Sequence, residues 1–299
     1  MTRTHFQVDR ALPRATEAGR RAGLEVEGAR VLRVKSSIHV ELPNAGVVAR
    51  VEAADQTTRA TRQVVVAGVW AAQSAPVPTL VRPELQPFVF DDAAVTLWQR
   101  LDGCATADLV ELGRTVRTLH DTTRGIPLTR APRLRPFVDI EAWIDWPTSW
   151  LADEDRAELA RRNRHLKRWW DAESADDPLG VVLLHGDVHR ENTVVTEEHG
   201  VILTDLEDAG VGPVSWDLVP LAVSVRRYEE SPAELRRFIA GYGVDLSRWS
   251  GFERMCEIFE LWVTTWAIRC AGISPRIARE AALRVEGFLG RSEAAWTIL

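Results

Sequence analysis

The sequence predicts an α+β chain with two lobes, a small β-rich N-lobe over residues 1–101 and a larger, mainly helical C-lobe over residues 102–299. β-branched runs separated by turn residues fill much of the first hundred positions, whereas apolar residues at helical spacing dominate the rest. A chain of 299 residues is also long enough for each lobe to bury a core of its own.

The N-lobe is predicted to be a sheet with one helix. Residues 31–51 read VLRVKSSIHVELPNAGVVARV, in which β-branched runs flank the turn residues Pro43, Asn44, Ala45 and Gly46, and this pattern indicates a hairpin. A helix is predicted over about residues 57–73, and a further strand pair over about residues 80–101.

The first half of the C-lobe alternates helices with short strands. The segment ADLVELGRTVRTLH predicts a helix with one buried stripe, made by Leu109, Leu112, Val116 and Leu119. An irregular connection rich in arginine and proline is expected over residues 122–136, and a polar helix over about 153–171. Two short strands then carry the polar clusters described below.

The C-terminal third is predicted to be helical. In SPAELRRFIAGYG, Ser231 suits an N-cap, Pro232 the first turn and Glu234 the capping-box position. Gly241 is expected to end this helix. SPRIAREAALRVEGFLG repeats the same opening from Ser274.

Composition excludes several classes of protein. The net charge of −6 argues against a nucleic-acid partner, and no segment indicates an obligate protein partner. Cys104, Cys256 and Cys270 form neither a disulfide framework nor a metal knuckle, which favours a reducing interior. The N-terminus lacks a secretory apolar region, and the longest apolar runs fall short of the roughly 20 residues of a spanning helix. We therefore expect a cytoplasmic protein with no membrane partner.

Two polar clusters follow apolar strands and indicate a site. Residues 184–192 read LHGDVHREN, and residues 201–210 read VILTDLEDAG. Asp187 and Asn192 are five positions apart, and Asp205 lies 18 positions after Asp187 (205 − 187). One carboxylate can deprotonate a hydroxyl, while an amide oxygen and a second carboxylate offer the hard oxygen ligands that Mg²⁺ takes together with phosphates. Phosphoryl transfer needs this division of labour.

These motifs resemble a known family. HGDVHREN is similar to the kinase catalytic loop, with DLE where protein kinases have DFG. Together with the later Trp216-Asp217-Leu218 segment, the pattern looks like the aminoglycoside phosphotransferase family of kinase-like small-molecule phosphotransferases. The resemblance implies a two-lobed protein-kinase-like fold. It also implies that Asp187 is the catalytic base and that Asn192 and Asp205 hold Mg²⁺, with Glu207 as a possible accessory.

The resemblance extends to other residues of the two clusters. His189 takes the position of the catalytic-loop lysine of protein kinases and is a candidate phosphate contact. Asp217 is expected to brace the catalytic loop rather than to touch substrate, and His185 to hold that loop by hydrogen bonds.

In the N-lobe, VVARV at residues 47–51 resembles the strand that carries the phosphate-binding lysine, so Arg50 takes that role. Gln63 is the best-placed residue on the following helix to partner it. There is no GxGxxG motif, but backbone N–H groups in the turn at Lys35, Ser36 and Ser37 are placed to cover nucleotide phosphates. The adenine of ATP, or the base of GTP, is expected near residues 97–101, and Trp98 and Gln99 are the candidate contacts.

The resemblance implies a small hydroxylated acceptor, for example an antibiotic such as an aminoglycoside. Glu257 and Glu260 lie close together in EIFELW on a C-terminal helix, where they are candidate ligands for ammonium groups. For Trp143, Trp146 and Trp150, core packing is favoured over a stacking wall.

Two other classes stay open on the sequence alone. His185, Asp187 and His189 are three potential zinc ligands of a metal-dependent hydrolase. The departures at Arg50 and Gln63 allow a nucleotide-binding regulator without turnover.

Overall fold

A computed structural model describes residues 8–34, 37–104 and 107–298 of the chain. The described residues form helices and strands whose bounds are as follows: α1 (Val8–Arg21), β1 (Arg30–Val34), β2 (Ile38–Leu42), β3 (Val47–Ala53), α2 (Thr57–Ala71), β4 (Phe88–Val89), β5 (Ala93–Gln99), β6 (Gly103–Cys104), α3 (Leu109–Thr123), α4 (Pro136–Ile144), α5 (Asp153–Glu173), β7 (Val181–Leu184), β8 (Thr193–Thr196), β9 (Gly200–Leu203), β10 (Gly210–Pro213), α6 (Val219–Arg227), α7 (Pro232–Tyr242), α8 (Phe252–Cys270) and α9 (Pro275–Phe288).

These elements form two compact units. The first unit holds the described residues of Met1–Ala107, Asp121–Pro132 and Glu191–Ala209. The second holds Asp108–His120, Arg133–Arg190 and the described residues from Gly210 onward. The units interleave along the chain, so a single boundary after residue 101 stays an expectation. The predicted fold class, α+β and kinase-like, is confirmed.

The first unit is built on a five-stranded antiparallel sheet in the order β1-β2-β3-β5-β4. Alternate side chains of its strands point to opposite faces. One face is apolar and packs against α1, whose alanines allow a close approach; the alanines are Ala11, Ala15 and Ala18. The other face carries Arg50, Glu52 and Thr96, which are polar and buried.

The predicted hairpin and the predicted helix over residues 57–73 are confirmed by β2, β3 and α2. The strand pair expected over residues 80–101 is shorter than predicted, since β4 and β5 cover only part of that range. A second small sheet of the first unit has the order β6-β8-β9, and in it Thr193 pairs with Leu203.

The second unit is mainly helical, with a two-stranded antiparallel ribbon formed by β7 and β10. Aromatic rings fill its core. Trp216 lies 5.7 Å from Trp170 and 5.6 Å from Phe259, and Trp143 lies 5.8 Å from Trp262 (ring centroids). Core packing of Trp143 is thereby confirmed.

The end of α7 differs from the prediction. Ser231 is the N-cap as expected, and its hydroxyl accepts a hydrogen bond from the Ala233 N–H. The residue that ends the helix is Gly243, at φ 89°, rather than Gly241. Gly241 has a different reason to be glycine, because a Cβ there would lie 2.0 Å from the carbonyl oxygen of Val110 on α3.

Candidate active site

The catalytic-loop candidate follows β7 in the second unit. Gly186 has φ 91°, a conformation that glycine adopts without steric cost. His185 and Val188 are fully buried, whereas the Asp187 carboxylate between them is partly exposed. The loop is thus anchored on both sides of Asp187 while that side chain stays accessible.

Asp217 holds the backbone of this loop. Its two carboxylate oxygens accept hydrogen bonds from the N–H groups of His185 and Gly186, each at 2.8 Å. Asp217 is fully buried. Hydrogen bonds from backbone amides to a buried carboxylate are short and strong. The interpretation of Asp217 as a brace is confirmed by these contacts.

Further buried contacts extend the brace. His120 on α3 lies between Asp217 and Tyr242, with its Nε2 3.0 Å from the carboxylate and its Nδ1 3.0 Å from the Tyr242 hydroxyl. The Trp216 indole N–H donates to the Gly186 carbonyl at 2.8 Å. From the sequence, His120 and Tyr242 could be placed only on helices. The available signal was a polar side chain next to an apolar helical stripe, because a polar group that is buried there needs a hydrogen-bond partner.

Two histidines contact Asp187. The Asp187 N–H donates to His185 Nδ1 at 3.3 Å, which agrees with a loop-holding role for His185. The His189 ring nitrogen Nε2 lies 3.2 Å from an oxygen of the Asp187 carboxylate. Among the residues that the structure describes, no three His, Cys, Asp or Glu side chains are grouped so as to hold a metal ion.

Asn192 and Asp205 occupy adjacent strand ends in the first unit. Thr193 of β8 pairs with Leu203 of β9, and the Thr204 N–H donates to the Asn192 carbonyl at 2.8 Å. This register brings the two predicted metal ligands to the same end of the β8–β9 pair. Asp205 has φ 65°, a conformation uncommon outside glycine, asparagine and aspartate, which marks the turn after β9 as a candidate functional position.

Arg50 of β3 is buried and pairs with three carboxylates. Its Nε lies 3.0 Å from Glu52, its Nη1 lies 2.5 Å from Asp205, and its Nη2 pairs with Glu207. Burial by itself would lower the pKa of Arg50, but the carboxylates outweigh it and hold the pKa above its usual value. The guanidinium is therefore a permanent positive charge next to the predicted metal turn.

Glu52 was not foreseen as a functional residue. Gln63, the predicted partner of Arg50, donates from Nε2 to Glu52 at 3.1 Å, and Glu52 in turn accepts from Arg50. Burial raises the pKa of Glu52, which the positive charge of Arg50 opposes. The available signal was strand alternation, since positions 50 and 52 must share a face.

The remaining nucleotide candidates lie in the first unit. The Ser37 hydroxyl is 3.2 Å from His39 Nε2, and His39 pairs with Arg50 across β2 and β3. Lys35 and Ser36 lie outside the described residues. On β5, the Trp98 indole N–H donates to Thr96 at 2.8 Å, and Gln99 is exposed.

Glu257 and Glu260 lie on α8 at a cavity of about 280 Å³ in the second unit. Glu260 is buried and pairs with Arg226 at 3.1 Å and with Arg227 at 2.6 Å, while Glu257 pairs with Arg254 at 2.8 Å. Because arginines already neutralise both acids, their role as acceptor ligands stays a prediction.

Residues 30–257 match the sequence pattern of the phosphotransferase enzyme family. The match covers well over half of the chain. The chain belongs to this family. It is accordingly a phosphotransferase that acts on a hydroxyl group, and nucleotide use follows from membership. Membership in a phosphotransferase family argues against the hydrolase and regulator interpretations. No curated protein matches the sequence significantly.

Solved structures of low identity share the fold. The aminoglycoside phosphotransferase APH(3'')-Id from Streptomyces rimosus, in complex with ADP and streptomycin, is 19% identical with a TM-score of 0.60, covering 84% of this chain and 98% of that one. A choline/ethanolamine kinase family protein from Mesorhizobium loti is 16% identical with a TM-score of 0.62, covering 95% and 96%. The macrolide 2'-phosphotransferase MphH from Brachybacterium faecium is 20% identical with a TM-score of 0.55, covering 90% and 96%.

No helix in the described part of the chain has the length and apolar character needed to cross a membrane.

Proposed function

We propose that this phosphotransferase uses ATP with Mg²⁺ and transfers the γ-phosphate to a hydroxyl of a small molecule, with an antibiotic such as an aminoglycoside as the first candidate acceptor. The observation that carries the proposal is the loop around Asp187. Its backbone is held by a buried carboxylate while the Asp187 side chain stays accessible. A fixed loop with an accessible carboxylate suits a base that must meet a bound hydroxyl.

Asp187 is proposed to orient the acceptor hydroxyl and to accept its proton as the new phosphorus–oxygen bond forms and the bond from the γ-phosphorus to the leaving ADP oxygen breaks. His189, at 3.2 Å from the carboxylate, is placed to orient Asp187 and to donate to a phosphate oxygen. Positioning and charge neutralisation supply most of the catalysis in this class of reaction.

Asn192 and Asp205 are proposed to hold Mg²⁺, with Glu207 as an accessory in the outer shell. The donor set fits, because an amide and a carboxylate at adjacent strand ends supply the oxygen ligands that this ion prefers. When bound, the ion neutralises phosphate charge. Asp205 is also the carboxylate that Arg50 contacts, so Arg50 and the metal site share one acid.

Arg50 is proposed to bind the nucleotide phosphates through its two Nη groups, together with the turn at Lys35, Ser36 and Ser37. Trp98 and Gln99 are the proposed contacts to the base, with ATP favoured and GTP as the alternative. An arginine fork can bind two phosphate oxygens at once.

The acceptor is the least specified part of the reaction. Glu257 is a candidate ligand for an ammonium group, and Glu260 a weaker one because two arginines already contact its buried carboxylate. Streptomycin is bound in the S. rimosus structure, and aminoglycosides therefore lead the panel of acceptors.

The test is incubation of the purified protein with γ-labelled ATP, Mg²⁺ and a panel of aminoglycosides, macrolides, choline and ethanolamine. We expect label in one acceptor, and loss of that label when Mg²⁺ is chelated. Asp187→Asn should lower kcat by about 10²- to 10⁴-fold, the usual contribution of general base catalysis. Transfer at the wild-type rate by Asp187→Asn, or transfer without Mg²⁺, would contradict the proposal.

A further inference from the structure

The buried acid next to Arg50 lies on the same strand as Arg50. In protein kinases, the phosphate-binding lysine on one strand pairs with a glutamate on a helix, and movement of that helix controls the pair. Here α2 offers Gln63 instead of an acid. The carboxylate that contacts Arg50 Nε is Glu52, two positions along β3.

The geometry of the guanidinium separates two kinds of contact. Its Nε donates to Glu52, which is 4% exposed, and its two Nη groups point to the acidic turn at Asp205 and Glu207. Asp205 is 37% exposed, so a ligand can reach the part of the guanidinium that faces Asp205. The Nε contact is therefore the fixed side of the guanidinium, and the Nη contacts are the exchangeable side.

Glu52 also accepts a hydrogen bond from α2. Gln63 donates to the same Oε1 that accepts from Arg50, while Oε2 is buried and has no hydrogen-bond partner among the residues that the structure describes. A buried carboxylate with one bare oxygen is costly, and it is tolerated where a permanent positive charge offsets the cost. Arg50 supplies that charge.

We propose that Glu52 is the positioning residue of Arg50, and that this ion pair is formed within strand β3, independently of the position of α2. The inference rests on the proposed role of Arg50 as a phosphate ligand. Residues at i and i+2 of a strand share a face and keep their separation as long as the strand exists. The phosphate-binding arginine would then be permanently in place, with no helix movement to switch it.

The direction in which Glu52→Gln changes the Kd for Mg-ADP distinguishes a positioning role of Glu52 from a purely electrostatic one. Removal of a negative charge beside Arg50 would, by charge alone, tighten the binding of a polyanion. If Glu52 positions the guanidinium, its loss lets the guanidinium turn toward Asp205 and Glu207 and weakens binding. We expect the Kd for Mg-ADP to rise about 10- to 100-fold, the size expected for one hydrogen bond to a charged group.

Gln63→Met tests whether the helix matters. It removes the amide but leaves the ion pair, so the Kd for Mg-ADP should rise by no more than about threefold. A loss as large as that of Glu52→Gln would show that the helix residue is the essential partner and would overturn the inference.

Glu280→Gln is the matched control. Glu280 and Arg284 on α9 form a pair of the same atoms at 2.9 Å, with side chains 5% and 3% exposed, compared with 4% and 6% for Glu52 and Arg50. The control should lose stability like Glu52→Gln, yet keep the wild-type Kd. Equal Kd values for the two variants would mean that Glu52 has only a structural role.

Titration calorimetry with Mg-ADP, which needs no acceptor, measures all variants of the full chain, and Arg50→Met separates the two levels of proposal. If Arg50→Met keeps the wild-type Kd, the proposed phosphate contact is wrong. If Arg50→Met loses affinity but Glu52→Gln keeps or gains it, only the inference is wrong. Should Glu52→Gln fail to fold, Glu52→Asp retains the charge one methylene further from Arg50 and should weaken Mg-ADP binding, whereas an unchanged Kd would overturn the inference.

Discussion

Asp217 and Asp205 are carboxylates with opposite situations. Asp217 is fully buried, and its oxygens accept hydrogen bonds from two backbone amides and lie beside a buried histidine. Asp205 is 37% exposed, lies in a turn of left-handed conformation, and pairs with a guanidinium that two other acids also contact. Asp217 fixes a stretch of backbone in one position, whereas Asp205 makes an ion pair with Arg50 that a bound ligand can replace.

The difference indicates how the two clusters contribute. The loop that carries Asp187 is preorganised, since its amides are bonded before any substrate binds. The Arg50 Nη groups instead form ion pairs with Asp205 and Glu207, and these are the groups proposed to accept a metal ion and phosphates. A change at Asp217 should therefore affect kcat, and a change at Asp205 should affect ligand binding.

Among the variants that leave Asp187 in place, the largest effect is expected for Asp217→Asn. An amide offers one oxygen and one NH₂ group, so one loop N–H would face a donor and lose its partner. We expect a loss of about 3 kcal/mol in the free energy of unfolding. The misplaced loop should lower kcat by about 100-fold, with little change in the Kd for Mg-ADP. Denaturant unfolding and steady-state kinetics measure both.

Asp177→Asn is the control for that prediction. Asp177 also accepts hydrogen bonds from two backbone amides, those of Leu179 and Ser215, each at 2.8 Å, and neither amide belongs to the loop of Asp187. It should cost comparable stability with a much smaller fall in kcat. Equal losses of kcat in the two variants would contradict a specific brace.

An intermediate effect is expected for Asp205→Asn. Loss of a metal-ligating carboxylate should raise the Mg²⁺ concentration for half-maximal activity by at least about tenfold. Glu207→Gln removes another partner of Arg50 but no proposed direct ligand, and should shift the same value by less than about fivefold. A Mg²⁺ titration that shifted equally in both would argue against Asp205 as the ligand.

The smallest effect is expected for Arg59→Met. Arg59 on α2 pairs with Glu207 at 3.4 Å and with Asp208 at 3.7 Å, and these partly exposed pairs are long. The free energy of unfolding should fall by less than about 1 kcal/mol, and the Mg²⁺ requirement should stay within about twofold. A larger rise in the Mg²⁺ requirement would mean that the acidic turn depends on α2.

Strong local patterns made much of the fold predictable. Helix α2 and the β2–β3 hairpin carry such patterns, and the structure matches them. Helix α1 was missed because its buried side is a stripe of alanines, Ala11, Ala15 and Ala18, which gives little apolar contrast although the spacing is helical. Gly241 was misread as a helix end because its close contact with Val110 is between distant parts of the sequence.

The candidate site was likewise predictable from local sequence patterns but not from contacts between distant residues. Asp187 follows β7, Asn192 directly precedes β8 and Asp205 follows β9, in a recognisable spacing, so they could be singled out from the sequence. Glu52 could not be found by analogy, because protein kinases place the acid on a helix. Only the side-chain hydrogen bonds show that Gln63 contacts Glu52 and that Glu52 contacts Arg50. The chain of contacts from His120 to Asp217 likewise spans 97 positions of sequence.

In the proposed reaction, acceptor activation and nucleotide binding depend on different carboxylates. The most direct test is to measure the Kd for Mg-ADP and the rate of phosphate transfer in Asp187→Asn and Asp205→Asn side by side. We predict that Asp187→Asn retains the wild-type Kd and loses transfer, and that Asp205→Asn loses affinity for Mg-ADP. Wild-type transfer by Asp187→Asn, or undiminished Mg-ADP affinity in Asp205→Asn, would contradict the claim.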